Sequence, residues 1–362
     1  MKRIGIDARL FSQTGVGTYL QNLLYYLDKA SPGQEIYYVY LRKQDAVKIN
    51  FKSRNIVKKI ANQRWHGFSE QTTFLLQLLR DDLDLMHFTY FSYPILYNKK
   101  FVATVHDTTP LLFKTGKAST KNGVFYSIKH LIFRLVLYLQ VSRSLKIITP
   151  SQTVKNELIK QYGSKISAKI KIIYEGINHK IIENKENQSM KTKFKNFFVY
   201  VGNFYPHKNV ENLIRAFSSV PEEYRLVLVG PDDYFTEKIV KQIESLKLHK
   251  KITVIRNPPY SDLIFFYKNA LAIIQPSLSE GFGLPLVEAA HFGTPIIASN
   301  IPIFKELWGN RYLDFNPKNA ADIRKQIISF ISKPTKFDYR ELLTKYSFEE
   351  MTRETRKIYD SI

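Results

Sequence analysis

Short apolar runs rich in β-branched side chains alternate along the chain with longer stretches whose apolar positions recur at helical spacing. The runs predict buried strands at Ile4–Asp7, Ile36–Leu41, Leu85–Phe88, Phe101–Val105, Leu145–Thr149 and Ile170–Ile173. Between them, the spacing from Thr18 to Leu27 predicts a helix ended near residues 31–33, and Ser151 is placed to cap another that runs to about Tyr162. Strand followed by helix, repeated, implies a mostly parallel sheet covered by helices. From His179 to Asn196 the pattern fades into Lys, Glu and Asn, which marks a linker. The rhythm restarts with runs at Phe197–Gly202, Arg225–Gly230, Ile252–Ile255, Ala270–Ile274 and Thr294–Ala298. The expected organisation is α/β, with one unit over residues 1–178, a linker over 179–196 and a second unit over 197–347. Two such units facing each other would leave a cleft of the kind that commonly holds ligands.

Composition fits this division, since 362 residues are ample for two domains and 44% hydrophobic residues can furnish both cores. The absence of cysteine removes disulfides, thiolate metal sites and cysteine nucleophiles, and fits a reducing cytoplasm. Asp7 and Arg9 interrupt what a secretory signal would keep apolar, and no uncharged run approaches the roughly 20 residues that a membrane span requires. A soluble or peripheral protein is expected. The net charge of +22 favours an anionic partner (phosphorylated ligand, membrane surface or nucleic acid), unless it reflects only the base composition of the source genome. One amphipathic stretch runs from Lys121 to Lys146. Phe125, Ile128, Ile132, Leu135, Val136 and Leu139 fall near helical spacing there, among Lys129, Arg134 and Arg143. It fits either a core-facing helix or one lying on an anionic membrane.

Candidate chemistry gathers at strand ends. Glu280 and Glu288 bracket a segment between two apolar runs, with room for one short helix. Gly281 and Gly283 free the crossing loop, Pro285 suits the first helical position, and Gly293 suits the residue past the helix end. Glu280 then lies beyond a strand's carboxyl end and Glu288 about one turn into the helix, so both can face the crevice where open parallel sheets bind ligands. The helix start offers unpaired N–H groups to a phosphate. The loop Gly202-Asn203-Phe204-Tyr205-Pro206-His207-Lys208-Asn209 also follows a strand, and the Lys208 ammonium suits a diphosphate whose leaving oxygen gains charge. His106, just past another strand, can donate a hydrogen bond or handle a proton. Gly15-Val16-Gly17 permits close backbone approach to a phosphate but lacks the third glycine of a dinucleotide fingerprint. There is no His-Glu-x-x-His spacing, Gly-x-Ser-x-Gly elbow or Walker loop, and Asp82-Leu83-Asp84 leads into a strand, as a solvated turn does.

Together these residues resemble the GT-B glycosyltransferases, specifically the retaining enzymes of family 4, which take sugar from a nucleotide diphosphate donor. The resemblance covers nearly the whole chain. It rests on Ile6-Asp7-Ala8-Arg9 with Gly15-Val16-Gly17, Val105-His106-Asp107, Ile148-Thr149-Pro150-Ser151, Tyr174-Glu175-Gly176-Ile177, Tyr200-Val201-Gly202 with Pro206-His207-Lys208-Asn209, and Ser279 to Pro285 completed by Glu288. The last of these matches the family's two-glutamate signature, and the subgroup looks closest to mannosyltransferases.

The resemblance implies two Rossmann-like doubly wound domains, with the final helix, 348–362, packing back on the first. It implies Glu280 on donor-sugar hydroxyls, assisted by the loop amides of Gly281, Phe282, Gly283 and Leu284, and Glu288 on the ribose. Lys208 would neutralise the diphosphate with Asn203 and His207 beside it. His106 would sit by the reacting sugar, and Gly15 and Gly17 would approach phosphates or acceptor. The implied reaction moves a hexose, mannose first, to a glycan or lipid-linked acceptor in polysaccharide synthesis, without cofactor or metal. The site would be cytoplasmic with peripheral contact to an anionic membrane, and nucleic acid is not expected as a partner. His207 stands where many relatives carry arginine. Imidazole lacks a permanent charge, so diphosphate binding would be weaker, pH-sensitive, or supplemented by Arg9 or Arg256. A non-catalytic basic adaptor on membranes or nucleic acid, and a sugar-nucleotide epimerase of related fold, stay open on the sequence alone.

Overall fold

The computed structural model describes residues 1–31, 33–109 and 123–362, and the side chains of all of these except 123–129. The chain divides into two compact units, Met1–Glu175 with Phe348–Ile362, and Gly176–Ser347.

In the first unit, β1 (Lys2–Asp7), β2 (Glu35–Leu41), β3 (Ile56–Ile60), β4 (Leu85–Phe88), β5 (Phe101–Thr104), β6 (Lys146–Thr149) and β7 (Ile170–Ile172) build a sheet among the described residues. Its order is β3-β2-β1-β4-β5-β6-β7 and every pairing is parallel, with Ile6 opposite Val39 on one side and His87 on the other. All residues of β4 and β5 are buried, which is why these strands read as unbroken apolar runs. The sheet grows outward from β1 in both directions, so the strand order reverses between β1 and β4. The helix Phe348–Asp360 belongs to this unit. Tyr359 anchors it, with its hydroxyl 2.6 Å from His87 Nδ1 and its carbonyl accepting from Lys2 Nζ at 2.6 Å.

The second unit repeats the scheme. Strands β8 (Phe197–Val201), β9 (Arg225–Gly230), β10 (Ile252–Arg256), β11 (Ile273–Gln275), β12 (Ile296–Ser299) and β13 (Leu313–Phe315) are parallel in the order β10-β9-β8-β11-β12-β13, reversing between β8 and β11. Phe198, Tyr200, Leu226 and Leu228 meet Leu213, Phe217, Ile323 and Ile327 of two covering helices in its core.

Residues 179–196, expected to form a linker, are instead part of the second unit. Asn178 caps a short helix, His179–Glu183, by accepting from Lys180 N, and Gln188–Thr192 forms a 3-10 turn. Ile181 and Met190 are buried, and Asn187 is tied to Ser261 O at 3.0 Å and Asp262 Oδ1 at 2.7 Å. His179 is buried as well, and Glu186 accepts from Asn269 Nδ2 at 3.0 Å, so a few anchors fix a segment most of whose other polar side chains face water. In the amphipathic stretch, Lys121 and the side chains of Phe125, Ile128 and Lys129 lie outside the described residues. A helix does span Gly123–Arg143; of the described residues of the expected apolar stripe only Val136 is buried, Leu139 is half-buried, and Ile132 and Leu135 face outward.

Candidate active site

Beyond β8 the chain passes Gly202, makes a 3-10 turn at Pro206–Lys208, and enters the helix Val210–Phe217 through Asn209 at φ 60°. Asparagine tolerates that left-handed conformation. Beyond β11 it runs through Pro276 and Ser277 to Glu280 and then into the helix Leu284–His291. Since β8 and β11 are neighbours at the reversal, their two loops leave the sheet side by side. Three hydrogen bonds lock the loops in place: Leu278 N to His207 O at 2.7 Å, and Asn209 Nδ2 to Pro276 O at 2.9 Å and to Pro317 O at 2.7 Å.

This brings Lys208 and Glu280 together. Lys208 Nζ donates to Glu280 Oε2 at 2.7 Å, while Glu280 Oε1 accepts from Ser277 Oγ at 2.7 Å and Gln275 Nε2 at 3.2 Å. Burial works against the Glu280 charge, but the Lys208 ammonium and the hydrogen bonds from Lys208 and Ser277 outweigh it and hold the carboxyl below its usual range. The result is an ionised carboxylate with both oxygens occupied, facing an ammonium that uses one of its three hydrogens on it. A bound diphosphate would compete for Lys208 and release one Glu280 oxygen for a sugar hydroxyl.

The helix after Glu280 starts at Gly283, whose φ of 93° suits glycine; a Cβ there would come within 2.9 Å of the Phe304 ring. Pro285 sits in its first turn, no side chain caps it and no acid lies in that turn, so its positive end is open. Leu284 is half-buried at the helix start. Gly281 and Phe282 contribute backbone to the loop, but the Phe282 side chain is buried edge-on against Tyr346, 5.5 Å between ring centres. Glu288, one turn on, is buried, and its Oε2 accepts from the Tyr267 hydroxyl at 2.6 Å. Burial pushes its pKa up to about 7, against the opposing pull of that hydroxyl. No hydrogen bond among the described residues joins Glu288 to Lys208 or Glu280.

Two neighbours shape the loop rather than charge it. The Asn203 carbonyl accepts from the Tyr200 hydroxyl at 2.5 Å, and its Oδ1 from Tyr205 N at 3.4 Å. His207 is buried beside Tyr205, and burial, helped by the Lys208 charge, lowers its pKa to about 4. The imidazole is therefore neutral at neutral pH, which, of the three alternatives offered for His207, does not favour the pH-sensitive one. Nor are the proposed substitutes spare. Arg9 is clamped by Asp7 (2.8 and 2.7 Å) and Glu70 (2.6 Å), and Arg256 bridges Asp232 (2.8 Å) and Glu237 (2.6 Å).

In the first unit, His106 follows β5 and is buried. Nε2 lies 3.0 Å from Thr89 O, which can only accept, so Nε2 carries a hydrogen; Nδ1 lies 3.1 Å from Glu175 Oε1. Both ring nitrogens are occupied and Tyr19 packs edge-on at 4.7 Å, so the ring is held in place and not poised as a free base. Gly15, at φ 70°, starts the helix Val16–Lys29, which has neither a side-chain cap nor an acid in its first turn. At Gly17 a Cβ would meet Phe11 O at 2.7 Å, so only glycine fits. Glu175, Tyr267, Ser277 and Gln275 had no assigned role in the sequence reading. Only Glu175 lay within a recognised motif.

Two family models divide the chain between them: Glycosyltransferase Family 4 over residues 13–180 and Glycosyl transferases group 1 over residues 181–350. Sucrose-phosphate synthase from Thermosynechococcus elongatus superposes with a TM-score of 0.78 at 17% identity, covering 100% of this chain and 99% of that one. Anabaena Alr3699/HepE in complex with UDP and glucose gives 0.78 at 16%, covering 100% of both chains. The two parallel-sheet units are thus those of a GT-B glycosyltransferase. In sequence, the O-antigen chain mannosyltransferase RfbU of Salmonella typhimurium is 32% identical over 260 residues, 70% of this chain and 71% of that protein. The chain belongs to glycosyltransferase family 4.

Proposed function

We propose that this glycosyltransferase moves a hexose, with retention and without a metal, from a nucleotide diphosphate donor to a glycan or lipid-linked acceptor. The Lys208–Glu280 pair at the reversal of the second sheet carries the reading. The diphosphate takes Lys208 as its counter-ion, and Glu280, released on one oxygen, accepts from the sugar's hydroxyls. The bond from the anomeric carbon to the diphosphate oxygen breaks, with its electron pair passing to that oxygen beside Lys208. The acceptor oxygen bonds the carbon from the face that the diphosphate leaves, and its proton goes to the departing phosphate. Glu288 holds the ribose and the open helix start at Leu284 faces the phosphates. Gly15 and Gly17 offer a second backbone approach to phosphate or acceptor.

Mannose is the first sugar to test, because a mannosyltransferase is 32% identical. In this reading the enzyme works in the cytoplasm as a peripheral protein, where a lipid-linked acceptor would meet it. Among the described residues no helix is long and apolar enough to cross a membrane. Family membership favours a transferase over a non-catalytic adaptor, and an epimerase would interconvert donors with no acceptor present. The test is a panel of nucleotide sugars, GDP-mannose first, scored for nucleoside diphosphate release. Activity should fall in Lys208→Ala and Glu280→Ala; full activity in both rejects the assigned roles.

A further inference from the structure

Glu288 uses only half of its carboxylate inside the protein. Oε2 accepts from the Tyr267 hydroxyl at 2.6 Å, and Oε1 has no hydrogen-bond partner among the described residues, although the residue is only 6% exposed. A buried carboxylate oxygen left unmet calls for a donor from outside the chain. The Tyr267 hydroxyl is committed to Oε2, since a bond of this length from a hydroxyl to a carboxylate is of the strong, charge-assisted kind.

Tyr267 is itself firmly held. It lies on the helix Tyr260–Asn269, which packs on the helix Leu284–His291 that carries Glu288. Its side chain is fully buried, its ring stacks on Phe292 with 6.4 Å between ring centres, and its carbonyl accepts from Thr294 Oγ1. Burial opposes the Glu288 charge, and the Tyr267 hydroxyl favours it. Charges on the surrounding elements are engaged elsewhere. On the tyrosine's helix, Asp262 accepts from Asn187, Lys268 pairs with Glu186 at 3.5 Å, and the Tyr260 hydroxyl accepts from Asn178 at 3.3 Å. On the packed segment Arg340–Leu343, Arg340 and Glu341 pair with Asp338 and Arg311. The strands β11 and β12 bring no titratable side chain. His291, one turn on along the helix of Glu288, has its pKa pushed down by burial and by Lys268.

We propose that Tyr267 is a positioning residue for the nucleotide: by occupying Oε2 it fixes the Glu288 carboxylate and leaves Oε1 to accept from the ribose hydroxyls of the donor. This deepens, and rests on, the reading of Glu288 as the group that holds the ribose. A protonated carboxyl gives up an acceptor position to its own hydrogen. By favouring the carboxylate, the tyrosine therefore sets the pH above which the nucleotide is held tightly.

GDP and its 2′,3′-dideoxy analogue are titrated by calorimetry, from about pH 6.5 to about pH 9, into the wild type, Tyr267→Phe, Glu288→Gln and the double variant. UDP and its analogue serve if GDP does not bind. Affinities are read relative to Glu288→Gln, which cancels the titration of the nucleotide itself. Tyr267→Phe keeps the ring on Phe292 and removes only the donor. Wild-type affinity should rise with pH through about 7. In Tyr267→Phe the rise should move up by about one pH unit, because a hydrogen bond to the charged form is lost; binding is then about threefold weaker near pH 7.5 and recovers near pH 9. The double variant should show no rise, since the tyrosine acts through Glu288. A Tyr267→Phe profile that coincides with the wild type overturns the proposal. So does one lowered by the same factor at every pH, which is what a merely structural loss gives. If the dideoxy analogue rises with pH as the parent nucleotide does, or if neither nucleotide binds, the ribose reading falls and this inference with it. If the rise needs the ribose hydroxyls but Tyr267→Phe leaves it in place, the ribose reading stands and this inference alone fails.

Discussion

Each unit places a cation against carboxylate at the reversal of its sheet, and the two cations are held in different ways. Arg9, just past β1, is 2% exposed and uses four of its five N–H donors: Asp7 takes two, Glu70 and Gln63 O one each, and the guanidinium lies 3.9 Å over the Phe74 ring. Glu70 is further tied to Ser92 Oγ at 2.5 Å and His66 N at 3.1 Å, so the cluster knits the loops after β1, β3 and β4 together. Lys208, past β8, has a single carboxylate partner among the described residues and a side chain 15% exposed. The same topology thus produces a buried scaffold in one unit and a simpler, partly exposed ion pair in the other. What separates them is how many acceptors the protein itself supplies.

Arg9→Ala should give the largest effect. Asp7 and Glu70 would be left buried without a counter-charge, costing roughly 3–5 kcal/mol of stability, measurable by denaturant unfolding. A stable Arg9→Ala protein that had instead lost phosphate binding would break the contrast. Lys208→Ala should lower turnover by about 10²–10³-fold, as removal of one preorganised donor at a developing oxyanion does. Its unfolding midpoint should move less than that of Arg9→Ala, because Glu280 keeps Ser277 and Gln275 and can take up a proton.

Glu288→Gln sharpens the contrast through pH. The folded-state pKa of Glu288, about 7, lies above its ordinary 4.5, so the folded protein binds this proton more tightly than the unfolded chain does. The resulting stabilisation is complete below about pH 4.5 and is lost as pH rises through about 7. Relative to wild type, Glu288→Gln should therefore gain stability with rising pH, by at most about 3 kcal/mol above neutrality. The titration surrounds itself with few charges: Tyr267 and Tyr260 on the adjacent helix face Glu288, and Arg340 and Glu341 on the packed segment 340–343 are paired elsewhere. Nucleoside diphosphate affinity should rise over the same interval in the wild type, since only the carboxylate accepts from two ribose hydroxyls, and should be flat in the variant. His207→Asn should do least, leaving the pH profile of turnover unchanged near neutrality because the imidazole is already neutral.

Much of this was legible along the chain because it is local. Buried parallel strands such as β4 and β9 announce themselves as unbroken apolar runs. Gly283 stands at a left-handed turn that few other residues tolerate, and Ser151 caps its helix by accepting from Val154 N. The edges were harder. In β3, Lys58 and Lys59 break the apolar run because an edge strand faces water, and β13 is only three residues long. Partners distant in sequence left no signal: Glu70 lies 61 residues from Arg9, and Glu175 lies 69 from His106. The neutrality of His207 follows from tertiary burial, which residue type does not report.

The exchange of Glu280 for a diphosphate at Lys208 is tested most directly by titrating a nucleoside diphosphate into the wild-type and Glu280→Gln proteins by calorimetry. With its competitor neutralised, Lys208 should bind the diphosphate at least as tightly in Glu280→Gln as in the wild type, while turnover of the sugar nucleotide collapses. Diphosphate affinity that falls in step with turnover would mean that Glu280 does not compete for Lys208, and would contradict the exchange.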